Sequence, residues 1–247
     1  MVLSMDRWIG KIAIVTGASA GIGSAIVVQL VQHGVKVVGL ARRKDKMDEL
    51  AKSLEGMSGK FYSLKADVSK EEDILDSFRW VKENLGQVSI LINNAGFKKD
   101  TNLIDGCTQL WKATIDTNVI GLCIATREAV QDMTTNGIDG HIIHIGSTAS
   151  YKVSPNLISN VYPATKFAIR ALTETLRLEL KANGSKIKIS CISPGATNTE
   201  FREDLKKDVE LYKGLPMLKA GDVADAVVYI LSTPPHVQVH DIIINPQ

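Results

Sequence analysis

Short runs of consecutive Val, Ile, Leu and Ala recur along the chain, each separated from the next by a longer amphipathic stretch. This rhythm limits the fold more than any other feature. A strand that alternates apolar and polar side chains has one face in water, whereas a continuously apolar strand is buried on both faces. Lys11-Ile12-Ala13-Ile14-Val15 and residues 35–41, 61–66, 88–92, 141–145, 187–192 and 241–244 read as strands. Residues 24–33, 45–53, 70–85, 110–135, 161–181 and 222–231 read as helices, the third with Ser69 as its N-cap and Gly86 as its stop. Strands alternating with helices pair in parallel through right-handed crossovers. The expected fold is therefore α/β, a doubly wound Rossmann-type fold with a predominantly parallel sheet of about seven strands flanked by helices.

A length of 247 residues suits one such unit, and no linker, repeat or low-complexity run divides it. Residues 1–247 are expected to form a single nucleotide-binding domain. Residues 197–219 break the rhythm, being polar with Glu203-Asp204 and Lys206-Lys207, and read as a substrate-loop insertion. Cys107, Cys123 and Cys191 show neither disulfide nor metal-ligand spacing and are expected as buried hydrophobes, with no metal site. His141 and His144 share a strand without spaced partners and read as structural. A formal charge of +2 and 5% aromatics disfavour a nucleic-acid surface. No apolar run approaches the ~18 residues of a membrane span, and the N-terminal residues lack a leader pattern, so a cytoplasmic protein is expected.

The first strand runs into Thr16-Gly17-Ala18-Ser19-Ala20-Gly21-Ile22-Gly23, which opens the first helix. Glycines there let the backbone turn tightly against a pyrophosphate, whose charge meets free amides at the helix N-terminus. About 20 residues further on, an acidic residue would hold an adenosine ribose. This chain has Arg42-Arg43-Lys44 instead. A guanidinium grips a 2′-phosphate that a carboxylate would repel, so the expected cofactor is NADP(H), with Arg42 as first choice and Arg43 as accessory. Asp67 and Val68, after the third strand, are placed to border the adenine. Asn94, Ala95 and Gly96 end the fourth strand and combine sheet-holding with backbone beside the cofactor.

Tyr162 and Lys166 lie four apart on an expected helix, on one face. A free tyrosine, with a pKa near ~10, is a poor base at neutral pH, and a neighbouring ammonium favours its phenolate. Tyr162 would then protonate a substrate oxygen in reduction or deprotonate an alcohol in oxidation. Ser147, directly after the fifth strand, would hydrogen-bond the substrate carbonyl. Ser150 and Ser154 are rivals placed further from the strand.

Taken in order, Thr16-Gly17-x3-Gly21-x-Gly23, Asn93-Asn94-Ala95-Gly96, Asn118, Ser147, Tyr162-x3-Lys166 and Pro194-Gly195 resemble the short-chain dehydrogenase/reductase family over essentially the whole chain. That resemblance implies that Lys166 also holds the nicotinamide ribose and that Asn118 anchors the water of a proton relay. It further implies that Pro194, Gly195, Thr197 and Thr199 lie beside the nicotinamide carboxamide, and that copies pair through the long helices into a homodimer or homotetramer. Met5-Asp6-Arg7-Trp8, Ala41-Arg42 and Pro234-Pro235-His236-Val237-Gln238 are similar to the farnesol dehydrogenase-like branch, which includes dehydrogenase/reductase member eleven. A hydrophobic alcohol or carbonyl substrate is thereby implied, farnesol-like alcohols first and ketosteroids or dicarbonyls as the alternative; a non-catalytic NADP-binding regulator is the remote one. Tyr151, Val153, Leu157, Val161 and Phe201 are candidates for an apolar wall.

Overall fold

The computed structural model describes residues 3–153, 161–203 and 214–247. Its seven strands are β1 (Ile12–Thr16), β2 (Lys36–Ala41), β3 (Lys60–Lys65), β4 (Val88–Asn93), β5 (His141–Ile145), β6 (Lys188–Pro194) and β7 (Asp241–Ile244). The helices are α1 (Gly21–Gln32), α2 (Lys44–Ser53), α3 (Glu71–Asn84), α4 (Thr108–Ile115), α5 (Gly121–Thr135), α6 (Tyr162–Ala182), α7 (Glu200–Glu203) and α8 (Ala220–Ser232). All strand pairs are parallel, in the order β3-β2-β1-β4-β5-β6-β7.

Successive residues of a strand face opposite sides of the sheet, so each central strand feeds two cores. Ala13 and Val15 of β1 join Ile26, Leu30, Val223 and Val227 under α1 and α8. Ile12 and Ile14 join Ile74, Ala125, Met133 and Leu180 under α3, α5 and α6. Burying each such aliphatic side chain contributes about 1.5–3 kcal/mol. Continuous burial holds for β1, β4, β5 and β6. The two edge strands differ: β3 is only partly covered and β7 alternates, leaving Ile243 half exposed.

Three local expectations are corrected. Ser69 does not cap α3, which starts at Glu71; its hydroxyl donates to Asp67 Oδ1 at 2.7 Å instead. The helical stretch 110–135 is not uniform, because Asp116–Ile120 forms one wide π-helical turn between α4 and α5. Such turns frequently occur at functional sites. Cys107 is exposed and Cys123 half-buried, so only Cys191 behaves as a core hydrophobe. Among the described residues no helix is long and apolar enough to cross a membrane.

Candidate active site

Parallel strands present all their C-terminal ends to one edge of the sheet, and the strand order reverses between β1 and β4. At that edge lies a cleft of about 1000 Å³. Its wall is made by the segments that directly follow β1, β2, β3, β4, β5 and β6, including Ser19, Arg42, Val68, Gly96, Ser147 and Thr199.

The turn after β1 is held from across the reversal. Thr16 Oγ1 accepts the amides of Asn94 and Ala95, both at 3.0 Å. Asn94 Nδ2 donates back to the carbonyls of Thr16 (3.0 Å) and Gly17 (3.3 Å). Gly17 and Gly21 have φ of +67° and +58°, and a Cβ on Gly17 would lie 2.8 Å from the Ala95 Cα. The turn therefore packs directly against the end of β4, and Gly17 and Gly21 line the cleft as bare backbone. Gly23 does different work from its neighbours. It does not line the cleft, and a Cβ there would fall 2.2 Å from the Gly17 carbonyl oxygen, so its absence lets α1 pack onto the turn. Ile22 does line the cleft.

After β2, the two arginines are differently engaged. The Arg43 guanidinium donates to Ser19 Oγ at 3.2 Å and to Glu200 Oε2 at 2.7 Å, and Lys46 reaches the other Glu200 oxygen at 2.8 Å. Arg42 is exposed at the cleft wall, close enough for its charge to act on Asp67. Burial pushes the Asp67 carboxyl up, but the Ser69 hydroxyl and amide and the charges of Arg42 and Lys70 outweigh it and hold it below the usual range. Glu200 was not singled out from sequence, because nothing local marks a residue of the insertion as a partner for β2. Thr199, beside it, closes over Gly21, whose added Cβ would sit 3.0 Å from the threonine side chain. Thr197 forms a β-bridge with Leu218, whose amide donates to the Ala196 carbonyl and whose carbonyl accepts the Asn198 amide, both at 2.8 Å.

At the other end, Tyr162 begins α6, with Pro163 in the first turn where a missing amide hydrogen costs nothing. Lys166 is buried and donates to the Ile145 carbonyl at 2.9 Å, with its nitrogen 5.8 Å from the centre of the Tyr162 ring. Burial lowers its pKa to about 8, partly opposed by the Cys191 thiol. Ser147 faces the cleft and its hydroxyl oxygen accepts the Ala149 amide at 3.1 Å. Ser150 is buried away from the cleft, and Ser154 lies outside the described residues.

Asn118 sits in the π turn, buried behind the cleft wall. Its Oδ1 accepts the Phe97 amide at 2.7 Å, while Nδ2 donates to the Phe97 carbonyl and to Thr165 Oγ1, both at 3.0 Å. Thr165 in turn donates to the Tyr162 carbonyl at 2.7 Å. One amide thus fixes the loop after β4 to the first turn of α6. Beneath Lys166, Asn93 Nδ2 donates to Thr126 Oγ1 at 2.9 Å, which donates to His144 Nε2 at 3.3 Å. His144 Nδ1 donates to Thr173 Oγ1 at 3.0 Å, which donates to the Ile169 carbonyl at 2.8 Å. This direction satisfies a neutral imidazole, and burial with the Lys166 charge lowers the His144 pKa to about 3.

The cleft therefore brings together Gly17, Ser19, Gly21, Ile22, Arg42, Arg43, Asp67, Val68, Asn94, Ala95, Gly96, Ser147, Tyr162, Lys166, Pro194, Gly195, Thr197 and Thr199. Of the expected apolar wall, Phe201 faces the Tyr162 ring at 6.1 Å. Tyr151 lies instead against the Arg170 guanidinium, Val153 is 64% exposed, and Val161 is half-buried outside the cleft lining. Leu157 is outside the described residues. Lys152, at the start of the stretch 152–160 expected from sequence to shape the pocket, lines the same end; Phe97, Lys98 and Lys99 line it too and were not singled out from sequence, since they flank a motif and belong to none.

A family model for short chain dehydrogenases matches residues 11–210. Farnesol dehydrogenase of Aedes aegypti is 45% identical to this chain, with 98% of both chains covered. Dehydrogenase/reductase SDR family member 11 of Gallus gallus is also 45% identical, again over 98% of each. Among solved structures, a short-chain type dehydrogenase/reductase from Mycobacterium marinum superposes with a TM-score of 0.90 at 26% identity, covering 98% of this chain and 96% of that one. The closed form of serine dehydrogenase complexed with NADP+ gives 0.85 at 32% identity over 94% of each chain. The chain belongs to the short-chain dehydrogenase/reductase family, in the branch of those two curated relatives. It is an oxidoreductase on the Rossmann fold by which that family binds a nicotinamide cofactor.

Proposed function

We propose that this protein is an NADP(H)-dependent oxidoreductase interconverting a hydrophobic alcohol and its carbonyl, with Tyr162 as the acid/base. The observation that carries the reading is the pairing, in one cleft, of an open glycine turn beside two arginines with Tyr162, Lys166 and Ser147 at the far end.

The residues present fit the cofactor. Gly17 and Gly21 line the cleft as bare backbone at positive φ, and the end of β2 offers guanidinium groups to a 2′-phosphate. Ser19, Gly21, Ile22 and the α1 N-terminus would hold the pyrophosphate; Asp67 and Val68 would border the adenine. Asn94, Ala95, Gly96, Pro194, Gly195, Thr197 and Thr199 would line the nicotinamide end. When bound, the cofactor supplies or accepts the hydride. In oxidation, the alcohol O–H breaks as an O–H forms on the Tyr162 phenolate, and in reduction Tyr162 returns that proton to the carbonyl oxygen. Ser147 holds the reacting oxygen, Lys166 favours the phenolate, and Asn118 fixes the flanking loop and borders the relay water. Apolar surface for the substrate comes from Phe97 and Phe201.

Exposed Ile115, Ile120, Phe167 and Leu178 on the helical segments that carry Asn118 and Tyr162 support pairing of copies into a homodimer or homotetramer. No nucleic-acid partner is proposed, and the location is proposed to be the cytoplasm. An absorbance screen with NADP(H) against farnesol, ketosteroids and dicarbonyls tests the reading. Turnover of farnesol supports it; turnover of ketosteroids or dicarbonyls alone moves the substrate to the alternative; cofactor binding without any turnover returns it to a regulator.

A further inference from the structure

Lys98 occupies an unusual position for a lysine. Long cationic side chains are seldom buried, because water solvates the charge better than protein does. Lys98 is nevertheless only 7% exposed, and its nitrogen lies over the Tyr162 ring, 5.6 Å from the centre. Lys166 places a second nitrogen at 5.8 Å from the same centre. The contrast within this molecule is Lys60, which covers the Tyr62 ring at 5.1 Å on an edge strand, where its own residue is exposed.

The juxtaposition of Lys98 with Tyr162 is fixed by covalent neighbours. Phe97, immediately before Lys98, has both its amide and its carbonyl bound by the Asn118 side chain. The same amide reaches Thr165, which is bonded to the Tyr162 carbonyl. Loop and tyrosine are therefore tied to one buried group, and the distance between them is set by the fold as well as by a flexible stem.

We propose that Lys98 is a second cation acting on Tyr162, setting together with Lys166 the pH at which that phenol exchanges its proton. Lys98 acts through Tyr162 and is a positioning residue for its charge. The inference rests on the reading of Tyr162 as acid/base. A neighbouring cation favours the ionised form of an acid, so Lys98, with its nitrogen 5.6 Å from the ring centre in a cleft open to water, is expected to lower the Tyr162 pKa by about one unit. The other charged and titratable groups around this position are Lys166 from α6, Lys99 beside Lys98, Lys152 after β5, His144 from β5 and Cys191 from β6. His144 is neutral, and Cys191 touches the balance only through Lys166. The carboxylates among the described residues that line the cleft, Asp67 and Glu200, belong to its cofactor end.

Two measurements test this on the intact protein. An ultraviolet difference titration of tyrosinate, wild type minus Tyr162→Phe, isolates the ionisation of Tyr162 without any substrate. In Lys98→Met the step is expected about one pH unit higher, and in Lys98→Arg back near the wild-type position. The pH profiles of farnesol oxidation and of the reverse reduction give the second readout. Oxidation needs the phenolate and reduction the phenol, so the rising limb of one and the falling limb of the other both move upward in Lys98→Met. At pH 7 oxidation falls about tenfold. A packing defect would lower both rates without moving either limb. A Tyr162 step at the same pH in wild type and Lys98→Met overturns the inference while leaving the acid/base reading intact. Absence of any Tyr162 step below the free-tyrosine range overturns both.

Discussion

From Gly17 to Val68 the cleft is lined by residues that directly follow β1, β2 and β3, whereas Ser147 to Lys152 and Thr197 to Phe201 line it from segments that lead away from the sheet. In the first region each backbone segment has a fixed partner: Thr16 with Asn94 and Ala95, Gly17 with Leu40, Gly23 with the turn itself. In the second, the anchors are side chains reaching between elements, such as Asn118 to Phe97 and Thr165. The difference teaches how one scaffold keeps its cofactor while its substrate changes. A ligand with an invariant pyrophosphate suits backbone geometry, and a variable substrate suits loops whose side chains can be exchanged without disturbing the strands.

Lys166 is proposed to serve both the cofactor and the reacting tyrosine, and its removal is the strongest way to break the comparison. Lys166→Met is expected to lower turnover by about 10²–10³-fold, the scale of lost acid/base catalysis, and also to weaken NADPH binding. Steady-state kinetics with fluorescence titration of NADPH reads the two losses separately; a loss confined to one of them contradicts the dual role.

At the cofactor end, Arg42→Asp is expected to shift the preference between NADP and NAD towards NAD by about 10- to 100-fold, the worth of one charge-assisted contact. Arg43→Asp should shift it less, because Glu200 and Ser19 already engage that guanidinium. The ratio of kcat/KM for the two cofactors checks both, and equal effects would remove the distinction between the arginines.

The scaffold under the substrate end is sensitive to acid. His141 and His144 are buried and neutral, each with its pKa lowered to about 3, first by burial and then by Lys188 and Arg7 or by Lys166 respectively. His141 Nε2 donates to Ser190 Oγ at 2.9 Å, and its Nδ1 has no hydrogen-bond partner among the described residues. The unfolded chain takes up protons on these rings below pH ~6.5 while the folded chain does not, so stability is lost as pH falls towards 3. About 2 kcal/mol per histidine should be gone by pH 5. Denaturant unfolding between pH 7 and 5 checks this, and His144→Asn should flatten the decline.

The smallest effect sharpens the boundary itself. Glu200 holds Arg43 and Lys46 with exposed ion pairs. Glu200→Gln is expected to tighten NADP binding two- to fivefold, since an exposed ion pair contributes about 0.2–1 kcal/mol and a competing carboxylate is removed. Isothermal titration with NADP and NAD in parallel reads it, and NAD affinity should hardly change.

The same division explains what could be read in the sequence. Strand cores such as Ile12–Thr16 announce burial through continuous aliphatic residues, and Gly17, Gly21 and Gly23 announce a tight turn because few other residues tolerate it. Tyr162 and Lys166 are legible through helical spacing. Glu200 and Lys98 are not, because their roles arise from chains of contact between distant elements: Lys46 and Arg43 for one, Asn118 and Tyr162 for the other. Ser69 misled because a good capping residue had a stronger local acceptor in Asp67. Tyr151 and Val153 misled because apolar character alone does not say which side of a loop meets the cleft.

The most direct test of the whole account is Tyr162→Phe, with NADPH affinity and NADP-linked farnesol oxidation measured on one preparation. Affinity within a few-fold of wild type and turnover reduced by about 10²–10⁴-fold is the predicted result. Undiminished turnover in Tyr162→Phe contradicts the account.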